Sequence, residues 1–279
     1  MPKRESIRRV AIIGPGRLGQ ALGRLLADSG VPIAFVAARR LGAARQAVRF
    51  IGQGTPIKLT DSRLLDASNY LVTTSDSAIA KVSAAVSQLG KNRGSWNGKI
   101  VLHTCGSLPS GILKAFKVRG AAIGSLHPYQ TVPSPLAGLG SLRSCYWAVD
   151  GDRQGIKLAR SWVKMLGGVP FSVGPEARTL YHLSAFIVCP TVVTLMAQAA
   201  DLLKKAGVPT KITRPMLRQF VSETARNFAE LGARRALTGP AVRGDWATIR
   251  RHVAALKKAA PEFEPVYQSL LKAMLRRAK

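Results

Sequence analysis

Acidic residues are scarce in this sequence: 14 aspartates and glutamates stand against 42 lysines and arginines, for a formal net charge of +28 at pH 7. Such an excess is typical of nucleic-acid binders. The sequence has no arginine-rich arm, zinc-finger spacing or RNA-binding pattern of aromatic and basic residues, and its basic residues are spread along the chain. We therefore expect a surface that favours anionic small molecules rather than a dedicated nucleic-acid function. The charge alone leaves nucleic-acid association open.

Cysteines and long apolar runs are also few. The three cysteines, Cys105, Cys145 and Cys189, are far apart, odd in number and without metal-ligand spacing. This pattern favours a reduced, cytoplasmic protein with no metal site. The longest apolar stretch, Leu183–Ala200, is interrupted by Pro190, whereas a membrane span needs about 20 apolar residues. We interpret it as a buried helix that packs against another domain or a second subunit, and we expect neither a membrane span nor an N-terminal signal peptide.

Up to about residue 174 the chain alternates between short β-branched runs and helical patterns, which is typical of an α/β fold with a doubly wound, mostly parallel sheet. The predicted strands are Arg9–Ile13, Pro32–Ala38, Ile57–Leu59, Tyr70–Thr73, Lys99–His103, Ala121–Leu126, Tyr146–Val149 and Val169–Val173. Beyond it only helical periods remain, over 178–206, 211–236 and 245–278. We therefore predict a Rossmann-type domain over 1–174 and an all-α substrate and dimerisation domain over 175–279.

A G-x-G-x-x-G motif lies between the first strand and the first helix. Its first glycine permits a tight turn, the second lets a pyrophosphate approach the backbone, and the third allows close packing of helix and strand. The diphosphate would lie at the helix N-terminus. The cofactor-binding residues predicted here are Gly14, Pro15, Gly16, Arg17, Leu18 and Gly19.

The end of the second strand indicates which dinucleotide is bound. NAD enzymes usually carry an acidic residue there for the ribose 2′-hydroxyl. This sequence has Arg39 and Arg40 instead, with Arg45 one helical turn later. Since arginines can bind a 2′-phosphate with two hydrogen bonds, the pattern favours NADP over NAD.

Histidines are the candidates for chemistry. His103 and His127 end two predicted strands, and His182 opens the helical half. Because carboxyl ends of parallel strands face the ligand crevice, His127 and His182 are candidates to touch substrate, and His103 is a weaker one. At each position the alternative is a histidine that is only hydrogen-bonded structure. His252 is expected to cap or pack a helix.

At this point the chain resembles a bacterial family that pairs a Rossmann-like domain with a DUF2520 domain. The motifs that carry the resemblance are the glycine motif, His103-Thr104-x-Gly106, Leu126-His127-Pro128, Tyr181-His182 and Leu237-Thr238-Gly239-Pro240-x-x-Arg243-Gly244-Asp245. The family is similar in architecture to the 6-phosphogluconate dehydrogenase-like superfamily, which includes ketopantoate, pyrroline-carboxylate and imine reductases. The resemblance implies NADPH in the first domain, a substrate between the domains and a homodimer built through the helical domain. Among substrates it points first to a 2-keto acid such as ketopantoate.

Two departures from the family pattern bear on activity. Cys189-Pro190 stands where relatives usually have Ser-Asn, and residues 182–196 contain neither lysine nor asparagine. After the fourth strand, Thr73-Thr74-Ser75-Asp76 replaces an apolar-Pro-Asp pattern; Thr74 and Ser75 are predicted to contact the cofactor. These departures leave open a non-catalytic NADP-binding sensor or scaffold, with its basic surface available to nucleic acid.

For an active enzyme, hydride transfer to a carbonyl or imine carbon requires a group that protonates or polarises the heteroatom. His182 is the predicted donor, because a histidine titrates near neutral pH. His127, Ser107 and Thr104 would orient the substrate. Arg243 and Ser184 are predicted to bind it, with Arg243 facing an anionic group; alternatively, Arg243 forms an internal ion pair with Asp245.

Overall fold

The computed structural model describes residues 9–91 and 96–278. The expectation about a signal peptide concerns residues 1–8, which lie outside the described part. The chain divides into two compact units, Met1–Val188 and Cys189–Lys279. Each unit is described below by itself.

The first unit contains an eight-stranded sheet in which all eight predicted strands are present. The strands are β1 (Val10–Ile13), β2 (Ile33–Ala38), β3 (Thr55–Lys58), β4 (Asn69–Val72), β5 (Ile100–His103), β6 (Ala122–Pro128), β7 (Tyr146–Gly151) and β8 (Val169–Ser172). Their order is β3-β2-β1-β4-β5-β6-β7-β8. All neighbours are parallel except β6 and β7, which are antiparallel. The α/β, mostly parallel fold is therefore confirmed.

Helices cover both faces of this sheet. Those of the first unit are α1 (Arg17–Asp28), α2 (Leu41–Ile51), α3 (Asp76–Ser87), α4 (Lys114–Lys117), α5 (Pro135–Ser141), α6 (Arg153–Met165) and α7 (Arg178–Val188). Sequence periodicity missed α5, which is too short to show a helical period. Its start has a local signal, since Ser134 accepts a hydrogen bond from the Ala137 N–H at 3.1 Å and Pro135 stands in the first turn, as helix starts favour.

The core lies in two layers because the central strands β1, β4 and β5 are buried on both sides. On β1, Val10 and Ile12 pack into a cluster with side chains of α1, α2 and α6, whereas Ala11 and Ile13 pack on the opposite face with α3 and α4. This alternation follows from the two-residue period of a strand. Parallel sheets buried in this way read as continuous apolar runs, which is why the strands could be found in the sequence.

The second unit is entirely helical over its described residues. Its helices are α8 (Pro190–Lys205), α9 (Thr210–Ala236), α10 (Pro240–Arg243), α11 (Trp246–Ala259) and α12 (Glu264–Ala278). The predicted helix over 178–206 is divided at Cys189 into α7 and α8, and α9 is interrupted at Gly232, where φ is +70°. By its contacts α7 belongs with the sheet, so the compact units separate at Val188 rather than near residue 174.

The apolar stretch Leu183–Ala200 is not buried within the single chain: α8 has no buried residue, and Phe186 and Val193 are 56% and 63% exposed. The expectation that it packs against a second subunit stays a prediction. Helical periodicity reveals an apolar face but not what covers it. By length and composition alone, Pro175–Lys205 could also cross a membrane.

Candidate cofactor groove and active site

The glycine loop after β1 has the geometry that the motif predicts. Gly14 has a φ of +73°, which L side chains rarely adopt. Its N–H donates to the Ala37 carbonyl at 2.8 Å, and the Gly16 N–H turns back to the Gly14 carbonyl at 2.8 Å. The α1 helix then begins with no side-chain cap at Gly16 and no acidic residue in its first turn. An anion could therefore take the free N–H groups of that turn.

Two threonines that follow β4 form the wall against this loop. Thr73 Oγ1 donates to the Gly14 carbonyl at 2.8 Å. A Cβ added at Gly14 would collide with Thr74, and one added at Gly19 would collide with Thr73. The third glycine of the motif is thus required for packing rather than for ligand contact. Thr74 Oγ1 is buried and has no hydrogen-bond partner within the protein.

A groove of about 910 Å³ opens beside the loop. Most of the predicted cofactor residues line it: Gly14, Pro15, Gly16, Arg39, Arg40, Thr74 and Ser75. Arg17, Leu18 and Gly19 are not among the lining residues. The groove also has two lysines that sequence reasoning missed, Lys58 on β3 and Lys81 on α3.

The charge of the groove is of one sign. Four of its lining residues are cationic (Arg39, Arg40, Lys58 and Lys81) and none is an aspartate or glutamate. Lys58 lies opposite Ala38 in the register of β2 and β3, which places it beside Arg39 at the carboxyl edge of the sheet. These cationic donors suit a ribose that carries a 2′-phosphate. The lining has no carboxylate of the kind that holds a free 2′-hydroxyl in NAD enzymes. With the unpartnered Thr74 Oγ1, the lining fits NADP.

A second group of polar residues follows β5 and β6. His127, on β6, shares a hydrogen bond of 2.7 Å between its Nδ1 and the Tyr181 hydroxyl of α7. The rings of His127 and His182 lie 6.1 Å apart between centroids. A Cβ added at Gly106 would lie 2.7 Å from Cε1 and Nε2 of His127. Gly106 is therefore needed for the loop after β5 to pass close to this ring.

Burial keeps His127 neutral. The pKa of His127 is lowered to about 4, first by burial and then by the electrostatic influence of the neighbouring His182 and Arg178 side chains. A neutral imidazole has one nitrogen that accepts and one that donates. Nδ1 can therefore accept the Tyr181 O–H, and burial raises the Tyr181 pKa above its ordinary value, so the tyrosine remains protonated.

The loop after β5 contains the other predicted polar residues. Ser107 Oγ donates to Asp76 Oδ2 at 3.3 Å and lies 3.3 Å from Cys105 Sγ. Asp76 follows Ser75 of the groove, so Ser107 adjoins the cofactor side. Thr104 is buried at 7% exposure.

His103 has a structural position. It is fully buried, its Nδ1 accepts the Cys105 N–H at 3.1 Å, and burial lowers its pKa to about 4. The sequence made His103 a weaker candidate than His127 for substrate contact, and its buried, hydrogen-bonded position agrees with that ranking.

The substrate-binding predictions divide between the two units. Ser184 of α7 lies 3.1 Å from the Tyr129 hydroxyl and donates to the Tyr181 carbonyl at 2.6 Å. Arg243 lies on α10 in the second unit and forms no ion pair among the described residues. Asp245 instead accepts the Thr248 N–H at 3.0 Å as the N-cap of α11, so the alternative Arg243–Asp245 ion pair is not formed. Sequence reasoning missed Tyr129, although its position right after His127-Pro128 was a usable signal.

His252 belongs to neither of these groups of residues and lies on α11 of the second unit. His252 Nδ1 lies 3.1 Å from the Tyr267 hydroxyl, so the residue packs α11 against α12, as the sequence suggested. Within residues 9–91 and 96–278, no group of three histidine, cysteine, aspartate or glutamate side chains could hold a metal ion.

Two known domains match most of the chain. A Rossmann-like domain model matches residues 2–128, and the model of DUF2520, a domain of unknown function, matches residues 145–274. The chain pairs a Rossmann-like domain with a DUF2520 domain. The resemblance seen in the motifs is thereby confirmed. No curated protein matches the chain.

Solved structures of similar fold cover almost the whole chain. A Bacteroides fragilis protein assigned as an NADP oxidoreductase is 25% identical over 97% of this chain and 100% of that one, with a TM-score of 0.76. A Thermotoga maritima protein is 20% identical over 96% and 98%, with a TM-score of 0.72. An imine reductase from Pseudomonas sp. is 18% identical over 96% and 93%, with a TM-score of 0.68. The last two likenesses concern the fold.

Proposed function

We propose that this DUF2520 protein is an NADP-dependent oxidoreductase that reduces a small imine or carbonyl compound. The observation that carries the proposal is the groove at the glycine loop, which has four cationic side chains and no carboxylate. The free N–H groups at the start of α1 suit the diphosphate, and Arg39 and Arg40 suit the 2′-phosphate. The NADP oxidoreductase name of the Bacteroides protein agrees with this assignment.

The residues after β5 and β6 would hold the substrate and a proton. NADPH, when bound, supplies the hydride. Tyr181 and His127 then form the polar pair beside the heteroatom: the tyrosine hydroxyl donates to Nδ1, which leaves the proton of the neutral histidine on Nε2 as the donor. His182, the donor chosen from the sequence, lies next to this pair and remains a candidate. Ser107 would orient the substrate from the cofactor side.

An imine is the favoured substrate class. The Pseudomonas protein of the same fold is an imine reductase. Residues 182–196 contain neither the catalytic lysine nor the asparagine that the resemblance implies for a ketopantoate reductase. Ketopantoate remains a prediction that no observation here supports. An anionic group on the substrate would suit the charge of the protein, with Arg243 as its predicted partner.

We further propose that the protein is a homodimer built through the second unit. The unit has almost no core of its own: α8 buries no residue and α9 buries only Thr213. Phe220 and Phe228 of α9 are 73% and 61% exposed, and apolar surface on this scale marks an interaction site. A second copy supplies the same apolar helices in return, as an isologous interface requires.

The cofactor assignment is tested by titrating the protein with NADPH and NADH while nicotinamide fluorescence is followed. We expect saturable NADPH binding, weakened roughly tenfold or more by Arg39→Ala with Arg40→Ala, because each charge-assisted hydrogen bond contributes about 1.5–3 kcal/mol. NADH affinity should change little. Arg49→Ala is the matched control, since Arg49 is exposed on the adjoining helix α2 but does not line the groove.

Turnover is then measured with cyclic imines and 2-keto acids. No binding of either nucleotide would overturn the proposal. Binding of NADPH without reduction of any imine or keto acid would favour the non-catalytic sensor instead.

A further inference from the structure

The first residue of α7 is a buried arginine. Arg178 is 1% exposed, and its Nη2 donates to Ser125 Oγ on β6 and forms an ion pair with Asp150 Oδ2 on β7 at 3.1 Å. A buried charge is costly unless it is paired and hydrogen-bonded. Arg178 and Asp150 are the one ion pair among the described residues in which both side chains are buried.

The Asp150 carboxylate is itself held from a second side. It accepts the Ser110 N–H at 2.9 Å and the Ser110 hydroxyl at 2.5 Å. In the sheet, Ser125 is opposite Asp150 on one neighbour and opposite His103 on the other. His103, Ser125 and Asp150 therefore form a polar row across β5, β6 and β7. Ser125 on β6 holds the arginine of the ion pair, and Ser110 after β5 holds its carboxylate.

The same helix and the same strand meet at a second contact. His127 follows Ser125 by two residues on β6, so both side chains point to one face of the sheet. Tyr181 follows Arg178 by three residues on α7, so both lie on one side of the helix. The Arg178–Ser125 contact and the 2.7 Å Tyr181–His127 hydrogen bond are consequently neighbouring contacts between the same two elements, α7 and β6.

We propose that Arg178 is a positioning residue: by docking the first turn of α7 onto Ser125 and Asp150, it sets the Tyr181 hydroxyl on His127. What that pair does in turnover rests on the proposed function, but its geometry does not. Arg178 Nε and Nη1 have no partner within the protein, so the two contacts of Nη2 with Ser125 and Asp150 are the ones that anchor the side chain. Its charge also adds to the burial that lowers the pKa of His127, which favours an Nδ1 able to accept.

The test uses the full chain and three readouts. The ¹⁵N NMR shifts of His127 report its tautomer and its Nδ1 hydrogen bond, NADPH titration reports the cofactor groove, and kcat and KM for an imine report the chemistry. Arg178→Met removes the anchor, and Arg178→Lys keeps the charge. Tyr181→Phe lacks the hydroxyl and therefore gives the reference ¹⁵N shifts of His127 without this hydrogen bond. Arg160→Met is the matched control, because exposed Arg160 bonds only Ser172 on β8.

We expect Arg178→Met to move the His127 signals to those of Tyr181→Phe and to lower kcat by about 100-fold, the usual cost of a misplaced polar group, with NADPH affinity unchanged. Arg178→Lys should recover part of both. If Arg178→Met does not fold, Ser125→Ala removes one partner without a change of charge and should produce a smaller shift in the same direction.

Wild-type His127 signals and kcat in Arg178→Met would overturn the inference. An equal loss of NADPH affinity and kcat would also overturn it, since that result indicates general damage to the first unit. If the wild-type protein reduces neither an imine nor a carbonyl compound, the proposed function fails while the NMR measurement still decides the role of Arg178.

Discussion

At the scale of single residues, burial changes what a side chain can do. His103 is one of two histidines that the sequence places at a strand end, and that position suits catalysis as well as structure. The structure separates it from His127: both have a pKa lowered to about 4, but only His127 bonds a residue of α7.

The depressed pKa of His103 predicts a pH dependence of stability. Its ordinary value is 6.5 and its value in the folded chain is about 4, so the unfolded chain takes up the proton first. Stability conferred by the neutral histidine is complete above pH 6.5 and is lost as the pH falls towards 4, by about 3 kcal/mol in total. Urea unfolding at pH 5–6.5 should show this slope in the wild type.

His103→Gln should flatten that slope, and His127→Gln should remove a further part of it. Comparing each variant with the wild type at the same pH removes the contribution of the carboxylates to the slope, because these groups titrate alike in both proteins. An unchanged slope in His103→Gln would contradict the assignment of a neutral buried histidine.

At the scale of elements, the groove is assembled by strands and helices that are distant in sequence. Local patterns at the ends of β1 and β2 predicted the glycine loop and the two arginines. The end of β3 carried no recognisable motif, because a single lysine on a short strand has no special meaning until the register places it beside Ala38.

Lys58 is accordingly expected to contribute to phosphate recognition. Lys58→Ala should weaken NADPH binding about two- to fivefold, the magnitude of an exposed ion pair, and leave NADH binding unchanged. The effect should shrink as salt is added, since exposed charges are screened. Fluorescence titration at two salt concentrations measures it, and Lys117→Ala on α4 is the control. An equal effect on NADH would assign Lys58 to the diphosphate instead.

At the scale of the whole molecule, the two units differ in how they satisfy their apolar side chains. The sheet packs apolar side chains on both of its faces, whereas α7, α8 and α9 leave many of theirs exposed. A helical unit with so little core requires an external apolar surface, because burial is the main stabilising contribution to a fold of this kind.

The homodimer proposal predicts a change of mass on one substitution. Phe220→Glu should convert a dimer into a monomer in sedimentation equilibrium, because a charge in an apolar interface is strongly unfavourable. Val118→Glu, at a residue 86% exposed in the first unit, should leave the dimer intact. A wild-type monomer, or a protein recovered only with vesicles or detergent, would contradict the proposal.

The sequence by itself determined the parts of this protein whose signals are local. The central strands of the sheet are buried on both sides and read as short apolar runs. The glycine loop requires backbone geometry that only glycine provides at Gly14. Arg39 and Arg40 follow directly from their place after β2. These features depend on neighbours within a few residues, so composition and spacing are sufficient to predict them.

Only the tertiary structure decided which polar residues meet. Tyr181 and His127 are 54 positions apart and Arg178 and Asp150 are 28 apart, so neither pair has a periodic signature. The antiparallel pairing of β6 with β7 is also non-local, since strand direction leaves no trace in the residue pattern. Burial of a charge or a ring is set by everything packed around it, and for α8 we propose that a second copy of the chain supplies that surrounding.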